Sequence, residues 1–247
     1  MKLLALLLLS ISLAHAIITI APVEIGSKPG LSGKLSASLQ TKRGNTDKDE
    51  YSAGLRIQYD SNTTYLFWGD IIGSYGEASG ETNTNKFYTH LRYLHTITDE
   101  NLIGELFIQS EGNEFTNVKH RRLAGGGLRY KFSDSQFGKF FIGAGAFYEA
   151  KQYTTQVDPD ESTIRLNSYI SYTKEFGNKS KLAYVGYYQP NTSDFEDIVI
   201  SNALELKIHI GEKLYITVQV YYDVDTSPAV GIEETDFTQK TLFLWEF

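Results

Sequence analysis

The chain has 247 residues, with 23 Lys and Arg against 30 Asp and Glu, and it has no cysteine. The acidic balance argues against nucleic acid as a partner. The missing thiols exclude disulfides, thiolate metal sites, a cysteine nucleophile and a lipid anchor on a mature N-terminal cysteine. A content of 17 Tyr, 14 Phe and 21 Gly against 5 Pro favours strands over helices.

The first residues predict a cleavable secretory signal. Lys2 supplies the positive charge, residues 3–9 the apolar core, and Ala14-His15-Ala16 the small-residue cleavage site. The apolar stretch ends near Leu13, short of the roughly 20 residues that a helix needs to cross a bilayer. Residues 1–16 are therefore expected to be removed, leaving 17–29 as a short periplasmic segment and 30–247 as the folded body. No later segment is comparably apolar, so a chain inserted in a membrane has to cross it with strands, whose backbone groups pair between neighbours.

Period-two alternation begins at Gly30. Leu31, Gly33, Leu35, Ala37 and Leu39 fall on one face, and Ser32, Lys34, Ser36, Ser38 and Gln40 on the other. Such a run of about ten residues matches a tilted membrane strand, whereas strands in soluble proteins average about five or six. The second run places Tyr51, Ala53, Leu55, Ile57 and Tyr59 on the apolar face. Others start near Thr63, Lys86, Leu102, His120, Lys139, Thr163, Lys181, Asp197, Leu214 and Thr235, which predicts about twelve strands in all. The third run is the least regular: Leu66, Trp68 and Ile72 share the polar face with Asp70, and a bulge there would shift its register.

The connections alternate in length. Short ones lie at 60–62, 98–100, 133–138, 177–180 and 211–213, and longer polar ones at 76–85, 112–119, 150–162, 191–196 and 224–234. That asymmetry, with an even strand count, predicts a closed antiparallel up-and-down transmembrane β-barrel of the bacterial outer membrane with both termini periplasmic. A soluble sandwich also alternates, but it accounts for neither the strand lengths nor the placement of aromatics. On the apolar face the periplasmic ends carry Tyr59, Tyr65, Tyr93, Tyr130, Phe132, Phe140, Tyr172, Phe176, Trp245 and Phe247. The outer ends carry Tyr51, Tyr75, Phe87, Tyr148, Tyr188, Tyr222 and Phe237. These are the positions expected of interfacial girdles.

The opposite face is expected to line the lumen. Its cations include Lys34, Arg56, Arg92, Arg129, Arg165, Lys207 and Lys240, and its anions include Asp70, Glu105 and Glu205. This mixture predicts an ion-pair lattice rather than a field of one sign. It leaves open whether the lumen is a pore or a filled scaffold, because roughly eight strands enclose a filled interior and about 16 to 18 a channel. Gly125-Gly126-Gly127 is read as a bend in a strand. A lipid-directed enzyme would need a serine beside His95 or His120, and the spacing offers none at matching height. Nothing in the pattern calls for a cofactor or a metal.

The last residues alternate Phe243, Trp245 and Phe247 on the apolar face. This looks like the terminal signature of outer-membrane barrels, and the resemblance implies recognition by the barrel assembly machinery. Leu31-Ser32-Gly33-Lys34-Leu35-Ser36-Ala37-Ser38-Leu39, followed by Thr41, Arg43 and Gly44-Asn45-Thr46-Asp47, resembles the start of the salt-induced outer-membrane protein family. That resemblance implies a barrel among outer-membrane lipid and lipopolysaccharide, and it brings no defined chemistry. The expected function is a non-enzymatic barrel that passes small solutes or serves under envelope stress. The alternatives are a barrel enzyme acting on lipid and a surface-binding scaffold using the outer loops.

Overall fold

The computed structural model of the protein describes residues 23–42, 48–78, 81–98, 101–113 and 116–247. The expected cleavage residues Ala14 and Ala16, and the Gly44-Asn45-Thr46-Asp47 motif, lie outside them. The alternating runs form twelve strands: β1 (Gly30–Lys42), β2 (Lys48–Asp60), β3 (Tyr65–Ala78), β4 (Glu81–Thr96), β5 (Leu102–Asn113), β6 (Val118–Ser135), β7 (Gly138–Tyr153), β8 (Glu161–Phe176), β9 (Ser180–Pro190), β10 (Ile198–His209), β11 (Leu214–Asp225) and β12 (Thr235–Glu246). Each pairs antiparallel with its neighbours in sequence, and β1 closes on β12, so no strand edge is left unpaired. Among the described residues no helix is long and apolar enough to cross a membrane.

The closing seam is the shortest in the sheet. It runs from Lys34↔Glu246 to Ala37↔Phe243, and is extended by reciprocal backbone bonds between Gly33 and Phe247 at 2.9 and 3.1 Å. By contrast β1 and β2 pair over their full length, from Gly30↔Asp60 to Lys42↔Lys48.

The alternation sorts the two faces. Leu35, Leu91, Ile108, Leu128 and Ile170 project outward and stay exposed, Ile108 at 54%, while Leu66, Trp68, Arg129 and Arg165 are sealed inside. Burial is therefore inverted relative to a water-soluble domain, with aliphatic residues outside and charges within. Tyr59, Tyr65 and Tyr93 stand on adjacent strands with ring centroids 6.1 Å apart, and Phe132, Phe140 and Tyr172 continue the row at 5.6 and 4.7 Å.

The expected connections need correction, whereas the register expected for the third strand holds. The strands outrun the segments read as loops: β3 and β4 take in most of 76–85, and β7 and β8 nearly half of 150–162. Beyond the alternating apolar span both faces are polar, so hydrophobic period no longer marks a strand although the ladder continues. The third strand keeps the register read for it, with Leu66, Trp68 and Asp70 buried and Phe67 and Ile71 exposed; its irregularity comes only at Gly76/Glu77. The glycine run at 125–127 makes no break in pairing to either neighbour. It instead permits close approach of β6 and β7, where a Cβ at Gly145 would overlap the Gly126 carbonyl.

Candidate functional site

The lumen has two unlike sides. On the side formed by β4–β8 the inner positions carry large rings, and charged groups are threaded among them. Glu149 accepts from Arg121 Nε and from Arg165 Nε, both at 2.5 Å. Arg121 Nη1 also donates to Glu111 at 2.8 Å, and Arg165 Nη2 to both oxygens of Asp197 at 2.9 Å. Nearer the end where the chain enters β1, Tyr169 donates to Glu105 at 2.7 Å, and Arg129 stands 3.6 Å from the same carboxylate. Arg92 lies over the rings of Trp68 and Phe107, at 5.6 and 5.3 Å from their centroids, and Arg129 lies over Phe141 at 5.1 Å. Ions removed from water need such partners, because isolated burial of a charge costs several kcal/mol or more.

The side formed by β1, β2 and β9–β12 carries small inner residues, among them Ser36, Ser52, Gly54, Ala183 and Thr217. It encloses a cavity of about 310 Å³. The charged residues on its wall are Lys28, Lys34, Arg56, Lys181, Lys207 and Lys240, with Glu24, Asp70, Glu175, Glu205 and Glu246. Arg56 grips Asp70 through Nε and Nη2 at 2.6 and 2.7 Å, and its guanidinium lies 5.5 Å from the centre of the Trp68 ring at the border of the two sides. Lys207 donates to Glu246 at 2.9 Å, and Gln219 to Glu205 at 2.7 Å.

The segment leading into β1 folds into this end of the barrel. Asp60 accepts from the backbone amides of Gly26, at 2.9 Å to each oxygen, and of Lys28 at 3.2 Å. Lys28 Nζ reaches Glu246 at 2.5 Å and Glu24 receives Lys139 at 2.7 Å, while Arg129 donates to the Val23 carbonyl at 2.8 Å. Val23 and Ile25 pack on the cluster of Leu66, Trp68, Tyr88, Leu94 and Ile103. At the other end residues 226–234 fold over the mouth: Ala229 is buried, Val230 N donates to Asp158 at 3.1 Å, and Asn117 donates to the Val230 carbonyl at 3.4 Å.

All ten charged positions expected in the lumen point inward. They do not form one lattice: Arg92, Glu105, Arg129 and Arg165 belong to the packed side, and Lys34, Glu205, Lys207 and Lys240 to the cavity. Sequence reasoning missed Lys151, Lys181, Asp197 and the inserted segment with Glu24 and Lys28. Lys151 falls in a segment read as a loop, and Asp197 at the point where a strand run was read to begin. The i, i+2 spacing of Glu149 and Lys151 was the available signal for an inward Lys151. His95 bonds Tyr93 at 3.1 Å, and the His120 ring sits 6.0 Å from that of Phe87. Among the described residues no group of three His, Asp or Glu is arranged to hold a metal ion.

The chain is similar to the translocator domain of the autotransporter NalP from Neisseria meningitidis, at 10% identity with a TM-score of 0.53, covering 89% of this chain and 88% of that one. It is also similar to the NanC porin, at 12% identity with a TM-score of 0.47, over 88% of this chain and 98% of that one. None of the curated proteins matches the chain. A family model described as a protein of unknown function, DUF481, matches residues 35–247.

Proposed function

The chain belongs to the DUF481 family of unknown function, and on that premise we propose that it is an outer-membrane barrel of a Gram-negative bacterium that admits small polar solutes to its lumen. The observation that carries this reading is the cavity of about 310 Å³ beside a more closely packed side of the same interior. A barrel of this size serving only as a brace would be filled across its whole section. In this reading residues 1–16 are the export signal and both termini are periplasmic. Leu35, Leu91 and Ile108 face hydrocarbon, and the outward aromatics from Tyr59 to Phe237 sit at the two interfaces. Phe243, Trp245 and Phe247 serve the assembly machinery, and the outer loops meet lipopolysaccharide. No chemical step is needed, so the barrel acts without a catalytic group or cofactor. Service under salt stress is the finer part of the reading and is drawn from the resemblance over residues 31–47.

Planar-bilayer recording tests it. Protein whose strand content and heat-shifted gel migration verify folding is expected to give discrete current steps. Their absence over the accessible voltage range, in the same preparations, sinks the passage of solutes.

A further inference from the structure

On the wall of this cavity, two cross-strand registers set cation directly opposite cation. Lys34 faces Arg56 across β1 and β2, and Lys181 faces Lys207 across β9 and β10. Like charges in directly opposed positions destabilise a sheet. In each pair one member is neutralised: Arg56 by Asp70, Lys207 by Glu246. Lys34 and Lys181 line the cavity, and among the described residues they make neither an ion pair nor a hydrogen bond, although Glu246 and Glu175 stand opposite them across their other neighbouring strands. Both lysines also interact electrostatically with the same two groups, Lys207 and Glu205, which places them around one part of the wall.

A third group converges there. Thr217 is the partner of Lys207 across β10 and β11, it belongs to the cavity wall and is 2% exposed, and among the described residues its hydroxyl has no hydrogen-bond partner. A buried donor left unsatisfied is costly, and a ligand atom in the adjoining cavity would satisfy it. Six cations in total face the cavity, counting Lys28, against five carboxylates, and one of these, Glu24, is held by Lys139 and Lys131. The positive excess stands out in a chain whose net charge is −7.

We propose that this side of the lumen binds the oxyanion of a small solute, a carboxylate or phosphate group, between the Lys34 and Lys181 ammonium groups with the Thr217 hydroxyl as an additional donor. An oxyanion accepts charge-assisted bonds from both lysines and relieves the repulsion within each cation pair. The cavity volume suits a molecule of metabolite size. The inference rests on reading the lumen as open to solutes, and it names their charge.

Equilibrium titration of the folded barrel in detergent with inorganic phosphate, and separately with acetate, at low ionic strength tests it without requiring ion current. The expected result is saturable binding of at least one of the two. Affinity should fall about tenfold or more in the Lys34→Gln/Lys181→Gln double variant, and moderate salt should compete. Because each substitution removes one of two opposed cations, the unfolding midpoint of the double variant is expected to hold or rise. Absence of binding by both anions, equal affinity in the double variant, or a lowered midpoint overturns the site. Where current steps are present, reversal potentials in a salt gradient should favour chloride over potassium, with the preference lost in the double variant. A barrel that conducts but prefers potassium retains the pore and loses the anion site. A barrel that binds phosphate without conducting does the reverse.

Discussion

Glu149 and Glu246 do the same electrostatic task in two environments of one barrel. Each carboxylate sits between two cations: Arg121 and Arg165 around Glu149, Lys28 and Lys207 around Glu246. Glu149 is 1% exposed and walled by the rings of the packed side, whereas Glu246 borders a cavity that water can enter. The difference comes from the neighbours' size. Strands β4–β8 project Tyr88, Phe107, Phe141, Phe147 and Tyr169 inward, and β1, β2, β9 and β11 project Ser36, Ser52, Ala183 and Thr217. An ion pair of the first kind is part of the packing, and one of the second remains available to a solute.

The strongest way to break this comparison is Glu149→Ala. It breaks two buried ion pairs at once, leaving Arg121 with Glu111 and Arg165 with Asp197, and is expected to lower unfolding stability by about 3–5 kcal/mol, read from urea titration of the folded barrel. A loss below about 1 kcal/mol would mean that the packed side is wet. Gly143→Val comes next. The Tyr169 ring lies directly over Gly143, so an added side chain overlaps it and displaces the hydroxyl from Glu105. A cost of about 1–3 kcal/mol is expected by the same titration, and neutrality would show that the ring is not fixed. Smallest is Glu246→Ala, for which water replaces the lost carboxylate and the expected cost is about 1 kcal/mol or less. A loss equal to that of Glu149→Ala would erase the distinction between the two sides.

Much of this was legible in the residues. Alternation from Gly30 onward determined the number of strands, the outward and inward faces, and even the register of β3, where Leu66, Trp68 and Asp70 share the inner wall. Loop boundaries were less legible, because hydrophobic period disappears where both faces of a strand are polar while backbone pairing continues. The residues 23–28 carry no period at all, so their insertion into the barrel could not be read. Their position depends on Asp60, Glu246 and Arg129, which come from distant strands.

By itself the sequence settled which side chains face inward, since a period of two fixes the face of each residue on a strand. Only the tertiary structure decided which inward charges meet one another. The register between neighbouring strands brings Lys34 opposite Arg56 and Lys181 opposite Lys207, and the closure of β1 on β12 brings Lys34 opposite Glu246. Ring volume contributed from β4–β8 then determines where the interior is solid and where it opens.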